Sequence, residues 1–307
     1  MRSALLVGSE SRWLRKHVSH LPLVRRAVTR FLPGERVEDA VAAAIALGER
    51  GIGAVLTNLG ENVTDAATAD ATTRHYVEVC AAARAGSLAC HISVKLTQLG
   101  LDVDAERCRE NLFSLAEETK RNGIPLWIDM EQSSYVDRTL EMYRRTLREF
   151  QHVGVCLQAY LYRTAGDLAS LVRIGGGVRL VKGAYREPAS VAYPRKKDVD
   201  ENFFALATQM IAPDTRAAGL RAVFGTHDHR LISRIQRCAD TMEVGPEAFE
   251  FHLLFGIGRE EQVRLSRDGY RVRVLISYGE QWFPWYMRRL AERPANLLFV
   301  AKSMLSR

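Results

Sequence analysis

Eight short apolar runs recur along the chain and predict buried strands. Most of them are rich in β-branched residues, as expected for parallel strands that are covered on their outer face. The segments between them carry apolar residues at three- and four-residue steps, which predicts amphipathic helices; residues 106–121 are one example. The runs lie at residues 54–59, 91–96, 125–130, 153–160, 178–185, 222–227, 249–254 and 272–277.

This alternation of strand and helix predicts an α/β protein of the (β/α)8 barrel type, because an open doubly wound sheet needs fewer strands per domain. Residues 1–36 are predicted to form an N-terminal helical extension that ends at Pro33 and Gly34, and residues 37–307 to form the barrel domain. The glycine run at residues 175–177 precedes a strand and is interpreted as a turn after a helix.

Composition narrows the class of protein. The 307 residues carry a net charge of +7, but Lys and Arg are spread along the chain, which argues against a nucleic-acid-binding stripe. Five cysteines without CxxC spacing argue against a disulfide framework and a structural zinc site. We expect a cytoplasmic protein. The basic, amphipathic segment 13–31 could pack on the barrel or lie peripherally on the inner face of a membrane, and packing is favoured.

Charged residues interrupt several of the apolar runs close to their C-terminal ends, where barrel enzymes place their active sites. Lys95, Asp129, Arg179 and Lys182 are the clearest cases. They could form structural ion pairs at the rim. Because three of the four are cations and all four converge on one end of the barrel, a site for an anionic ligand is the favoured interpretation.

A basic stripe near the C-terminus supports the same conclusion. If the segment is helical, Trp285, Arg288, Arg289 and Glu292 share one face. The tryptophan predicts that this face is partly buried, and buried guanidinium groups favour a planar anion such as a carboxylate. A solvated face with an internal Arg288–Glu292 pair is the alternative.

His227 and His229 leave a metal-dependent hydrolase open as a further alternative, since histidines two residues apart could share one side of a strand end. No other histidine or carboxylate cluster completes the ligand set convincingly, so we expect no metal.

Seven blocks of sequence, in this order, resemble the proline dehydrogenase family, and in length the chain is similar to its monofunctional bacterial members. The resemblance implies a distorted (β/α)8 barrel with its eighth helix over the barrel mouth, non-covalent FAD, and oxidation of L-proline to Δ1-pyrroline-5-carboxylate with electrons passed to a membrane quinone. The blocks are SVKLTQLG (93–100), WIDMEQS (127–133), CLQAYLYR (156–163), VRLVKGAYRE (178–187), FGTHD (224–228), FEFHLLFGI (249–257) and YGEQWFPWYMRRLAERPAN (278–296).

The resemblance also implies roles for individual residues. Asp129 is expected to balance the cations around the substrate and Arg179 to lie beside the reactive edge of the flavin. The residues implied to bind substrate are Lys95, Leu254, Tyr278, Arg288, Arg289 and Glu292. Those implied to bind FAD are Met130, Gln158, Arg179, Lys182, Gly183, Ala184, Thr226 and His227.

The chain departs from the family pattern at the wall of the substrate site. Leu275 stands where members usually have Tyr, and Trp285 also replaces the more usual Tyr. A related or carrier-bound cyclic imino acid is therefore an alternative substrate. A barrel that binds an amino acid without turning it over is the non-catalytic alternative.

Overall fold

The computed structural model describes residues 28–283 and residue 286, and its eight strands close into a single parallel barrel. All eight strands overlap the apolar runs predicted from the sequence, so the predicted fold class is confirmed. The strands are β1 Gly53–Asn58, β2 Cys90–Val94, β3 Leu126–Ile128, β4 Val153–Gln158, β5 Gly176–Val181, β6 Leu220–Gly225, β7 Phe249–Leu254 and β8 Arg271–Tyr278.

Helices follow or precede the strands as expected for a (β/α)8 barrel. They are α1 Val37–Gly48, α2 Ala66–Ala85, α3 Ala105–Arg121, α4 Val136–Glu149, α5 Thr164–Val172, α6 Lys196–Ile211, α7 Pro213–Ala217, α8 His229–Thr241 and α9 Arg259–Arg267. Aspartates begin three of them by accepting backbone N–H groups: Asp65 for α2, Asp104 for α3 and Asp228 for α8.

The barrel closes where β8 pairs with β1 over six rungs, from Gly53 opposite Arg273 to Asn58 opposite Tyr278. Side chains alternate between the two faces of each strand. The outward positions pack beneath the helices and are apolar; Leu56, Ile92 and Phe224 are fully buried there. The apolar runs that predicted the strands therefore belong mainly to the helix-facing layer.

The strand residues that face the barrel interior are much more polar than those that face the helices. His91 of β2 and Trp127 of β3 both contact His252 of β7, and these strands can meet only across the interior. Gly154 and Gly177 line the space around the Trp127 ring. Gly176 and Gly177, predicted to lie in a turn, are instead the first two residues of β5. Gly177 resembles a turn residue in sequence because the Trp127 ring of β3 takes the space that a side chain would need there.

The described part of the N-terminal extension packs onto the barrel. Val28, Phe31 and Leu32 are buried, and the indole of Trp282 donates to Glu35 Oε1 over 3.1 Å. Residues 1–27 of the extension and most of the segment predicted to form the last helix lie outside the described residues. Among the described helices, none combines the length and the apolar character that crossing a membrane requires.

Candidate active site

Three of the four charged residues predicted at the strand ends meet inside the mouth of the barrel. Arg179 donates from Nη2 to Oδ1 of Asp129, and the Lys95 ammonium lies 3.6 Å from Oδ2 of the same carboxylate. Arg179 is 4% exposed, whereas Lys95 and Asp129 still open toward the mouth. One carboxylate therefore faces two cations, and the group carries a net positive charge with its outer members partly exposed.

The ionised forms of Asp129 and Arg179 are stabilised by the groups around them. Burial by itself would raise the pKa of Asp129, but the charges of Arg179 and Lys95 outweigh it and hold that pKa below its usual value. Burial would likewise lower the pKa of Arg179, whereas its neighbours Cys156 and Asp129 keep that pKa above the ordinary value. Asp129 is therefore ionised at neutral pH and is a poor general base.

Two further side chains hold the Arg179 guanidinium, and the sequence analysis missed both. Nε of Arg179 lies 2.9 Å from the sulfur of Cys156, and Nη2 donates to the Ser93 hydroxyl over 2.7 Å. Ser93 in turn donates to Asp129 over 2.8 Å. Burial raises the pKa of the Cys156 thiol to about 12, so the sulfur is protonated and accepts as a neutral group.

Strand alternation is the signal that could have found these residues. Ser93 stands two positions before Lys95, and Cys156 two positions before Gln158. Residues two apart in a strand face the same side, so each lies one rung below a residue already predicted to reach the site. Trp127 is related to Asp129 in the same way.

Lys182, the fourth charged residue, belongs to a separate ion cluster at the rim. Its ammonium contacts Asp200 at 2.5 Å and Asp228 at 2.8 Å, and Lys196 pairs with the same two carboxylates. Burial opposes ionisation of Asp228, but the two lysines hold its pKa well below the usual range. A cation predicted from the sequence to cradle a cofactor is thus balanced by two carboxylates that the sequence analysis did not consider.

The residues around Gln158 offer contacts to a planar polar ligand. Its Nε2 donates to the carbonyl oxygens of Met130 at 3.3 Å and Glu131 at 3.1 Å. Its Oε1 is buried and has no hydrogen-bond partner within the described structure. A buried acceptor of this kind is costly unless a ligand N–H reaches it.

The remaining residues predicted to bind a cofactor follow β5 and β6. Gly183 has a positive φ of 108°, and an added Cβ would overlap the ring of Tyr160. Ala184 is half-buried beside it. Thr226 is buried and its hydroxyl accepts from the backbone N–H of Asp228 over 3.1 Å. His227 lies between them in sequence and is half-buried.

Two residues predicted to bind substrate lie on opposite faces of the barrel wall. The Tyr278 hydroxyl is 2.8 Å from Nε2 of His75 on α2, so Tyr278 points toward the helices and the structure does not bring it to the Lys95 group. Leu254 lies on the interior face by alternation with His252, paired in register with Leu275 of β8. The predictions for Trp285, Arg288, Arg289 and Glu292 concern residues outside the described ones.

The two histidines considered as metal ligands do not form a cluster. Nδ1 of His229 lies 3.4 Å from Glu261, and the one group of three candidate ligands within the described residues consists of His91, Glu250 and His252. Glu250 in that group is paired with Arg273 at 3.0 Å, and burial lowers the pKa of His252 to about 4. We interpret the group as an interior ion-pair network; that the protein uses no metal stays a prediction.

Comparisons with known proteins show the family to which the chain belongs. The proline dehydrogenase family model matches residues 40–302. A proline dehydrogenase from Deinococcus radiodurans is 39% identical over 281 residues, which are 90% of this chain and 89% of that protein. Proline dehydrogenase 1 of Bacillus subtilis is 34% identical over the full length of both chains. The chain belongs to the proline dehydrogenase family, as its sequence blocks predicted.

A solved structure supports the fold independently. Proline utilization A (PutA) from Bdellovibrio bacteriovorus, inactivated by N-propargylglycine, superposes with a TM-score of 0.81 at 22% identity. The match covers 88% of this chain and 33% of that one. This chain therefore spans about a third of the length of that larger protein, and the likeness concerns the barrel fold.

Proposed function

We propose that the protein binds FAD and oxidises L-proline to Δ1-pyrroline-5-carboxylate, passing the electrons to a quinone. The observation that carries the proposal is the Lys95–Asp129–Arg179 group, with its arginine buried, at the mouth of a barrel of this family. Its net positive charge suits an amino acid carboxylate on one side and an electron-rich cofactor on the other.

The residues present fit a flavin. The unpartnered Oε1 of Gln158 suits a ring N–H donor, and the positive φ of Gly183 turns the backbone after β5, with the Tyr160 ring filling the space beside it. When bound, the flavin supplies the acceptor for a hydride from the carbon next to the proline nitrogen. Arg179 would place a fixed cation beside it, and such a cation favours the electron-rich reduced ring.

Lys95 is the described residue best suited to the substrate carboxylate. Its ammonium is only partly neutralised by Asp129, which shares its charge with Arg179. By family resemblance, Arg288 and Arg289 would complete the clamp and Glu292 would balance them. Fixing the carboxylate orients the ring for transfer, which is where most of the catalytic advantage of such an arrangement lies.

The proton balance also follows from these residues. Oxidation removes a hydride from carbon and a proton from nitrogen. Asp129 is held ionised by two cations and is a weak base, so we infer that the neutral amine of proline is the reacting form. The rate should then rise with pH as the substrate ammonium loses its proton.

The interior wall formed by β7, β8 and β1 leaves the range of substrates open. Leu275 is in register with Val55 and Leu254, which gives this side an apolar lining without the usual tyrosine hydroxyl. A substituted or larger cyclic imino acid is therefore the second candidate. Steady-state kinetics with proline, 4-hydroxyproline and pipecolate decide between them: the highest kcat/KM for proline would exclude the alternative.

An anaerobic absorption spectrum tests the proposal directly. Purified protein, incubated with FAD and freed of excess, should show oxidised flavin bands between 300 and 550 nm that bleach when L-proline is added. Reoxidation by a soluble quinone faster than by oxygen would support the proposed acceptor. Bands that do not bleach with proline but do bleach with another imino acid would change the proposed substrate. The absence of bound flavin would overturn the proposal.

A further inference from the structure

One buried aromatic ring lies directly against the Arg179 guanidinium. Trp127 projects into the barrel from β3 and is 1% exposed. Its indole Nε1 donates to Nδ1 of His91 over 3.0 Å, which fixes the rotation of the ring and places the proton of the neutral imidazole on its other nitrogen. Burial lowers the pKa of His91 well below its usual value, so this acceptor is retained at neutral pH.

Two glycines on the neighbouring strands make room for this ring. A Cβ on Gly154 would lie 2.5 Å from the indole, and one on Gly177 would lie 3.1 Å from it. Both are interior positions of β4 and β5, where an apolar side chain would otherwise fill the barrel. The slot is therefore shaped for a large flat side chain and holds it in one orientation.

The Arg179 guanidinium lies over this ring, with its central carbon 5.1 Å from the ring centroid. Arg221 lies over the same ring at 5.9 Å. Cys156, Ser93 and Asp129 engage the N–H groups of Arg179, and hydrogen bonds of that kind act in the guanidinium plane. The ring face attracts the cation from a direction that none of these three partners supplies, so it adds a constraint on how far the guanidinium lies from the ring.

We propose that Trp127 is a positioning residue for the reaction: its ring face attracts the Arg179 cation and sets how deep the guanidinium lies in the barrel mouth. The inference rests on the proposed function, because the position of this cation matters to catalysis only if an electron-rich cofactor lies beside it. The competing interpretation is that Trp127 only fills space in the barrel interior and has no effect on the position of Arg179.

Substitutions that keep or remove the ring separate these interpretations. Trp127→Phe keeps an aromatic face in the slot, whereas Trp127→Met keeps apolar volume without one. Phe203→Leu is the matched control, since Phe203 is a fully buried aromatic residue of α6 in the outer layer of helices. The flavin reduction potential, kcat and KM are measured for each variant with proline.

We expect Trp127→Met to lower the flavin potential and to reduce kcat about tenfold while KM stays within about twofold, because a displaced cation weakens stabilisation of charge and not substrate binding. Trp127→Phe should recover most of the loss. Phe203→Leu should lower the thermal midpoint and leave potential and kcat unchanged. Equal potentials and rates for Trp127→Met and wild type would overturn the proposal.

A second readout needs no cofactor. In flavin-free protein, the drop in thermal midpoint for Trp127→Met combined with Arg179→Met should be smaller than the sum of the two single drops, since either change removes the same contact. Additive shifts would overturn the proposal. If Trp127→Met does not fold, Trp127→Leu takes its place, because it also removes the ring and keeps apolar volume in the slot; an unchanged potential there would also overturn the proposal.

These outcomes stay distinct from a failure of the proposed function. A wild-type protein that binds no flavin, or oxidises no cyclic imino acid, contradicts the proposed function before any variant is compared. A wild-type enzyme that turns over while its Trp127 variants match it contradicts only the positioning role.

Discussion

Arg179 donates a hydrogen bond to Asp129 across the inside of the barrel, from the middle of β5 to the residue that follows β3. The arginine is almost completely buried, and the aspartate is its carboxylate partner. Removing one member of such a pair is costly because it leaves the other charge in a low-dielectric environment without compensation. This relationship predicts a stability effect that does not depend on the cofactor.

We expect Asp129→Asn to lower the free energy of unfolding by about 3 kcal/mol, measured by urea denaturation of the flavin-free protein. The double variant Asp129→Asn/Arg179→Met should be more stable than the sum of the single effects predicts, by about 2 kcal/mol, since it removes both charges. A single variant within about 0.5 kcal/mol of wild type would mean that solvent at the barrel mouth already compensates Arg179.

Lys95 should contribute mainly to substrate affinity. If its ammonium contacts the carboxylate of the imino acid, Lys95→Met should raise KM by roughly 10- to 100-fold with a smaller change in kcat, which corresponds to the loss of one charge-assisted contact. Lys120→Met is a suitable control, since Lys120 lies over the Phe150 ring on the outer layer. A KM within about threefold of wild type would remove Lys95 from the clamp.

Glu131 predicts a pH dependence of stability. Its side chain is 1% exposed. The carboxylate accepts hydrogen bonds from the Thr97 hydroxyl at 2.7 Å and from the backbone N–H of Thr97 at 3.2 Å. Burial outweighs these hydrogen bonds and raises the pKa of Glu131 from 4.5 to about 7. Folding therefore favours its protonated form, and the stability that this contributes is complete below pH 4.5 and is lost as the pH rises to about 7.

Glu131→Gln removes this titration. The free energy of unfolding of the variant, relative to wild type, should rise by on the order of 2–3 kcal/mol between pH 5 and pH 8, at about 1.4 kcal/mol per unit of pKa shift. Urea denaturation at several pH values measures the difference. Glu117→Gln, at an exposed carboxylate paired with Arg121, is the matched control. A pH-independent difference for Glu131→Gln would contradict the raised pKa.

The sequence predicted the strands far better than it predicted the interior. The outward-facing residues of each strand, such as Leu56 and Ile92, are apolar because helices cover them, and this layer produces the periodic signal. Trp127 lies in the run WIDM, where alternation places it on the same face as Asp129, but the sequence does not show which polar partners from β2, β5 and β7 it meets there. Those contacts join residues distant in sequence and depend on closure of the barrel.

The candidate site was predicted in the same uneven way. Lys95, Asp129 and Arg179 stood out because a charge within an apolar run needs a partner. Their actual pairing, and the separate pairing of Lys182 with Asp200 and Asp228, followed only from the register of the strands and the loop after β5. Tyr278 was predicted to bind substrate but faces α2. A shift of one residue along β8 decides whether a side chain faces the interior or the helices, and the sequence did not show which face Tyr278 takes.

Gly183 provides a last prediction, which separates backbone strain from occupied space. Its φ of 108° lies in a region that disfavours L-residues, and a Cβ there would overlap the Tyr160 ring. Gly219 has a comparable φ of 85°, but nothing lies within 4 Å of the position its Cβ would take. Both Gly→Ala substitutions should therefore carry a backbone cost of about 1–2 kcal/mol, and only the one at Gly183 should add the cost of displacing a packed ring.

We expect Gly183→Ala to be about 1–3 kcal/mol less stable than Gly219→Ala by urea denaturation, and to weaken FAD binding by roughly tenfold or more. Titration of the flavin-free variants with FAD, followed by quenching of flavin fluorescence, measures the second effect. Equal FAD affinities for the two variants would place the cofactor away from the loop after β5. Equal stabilities would mean that the Tyr160 ring moves aside at little cost, and that the glycine at this position serves backbone conformation alone.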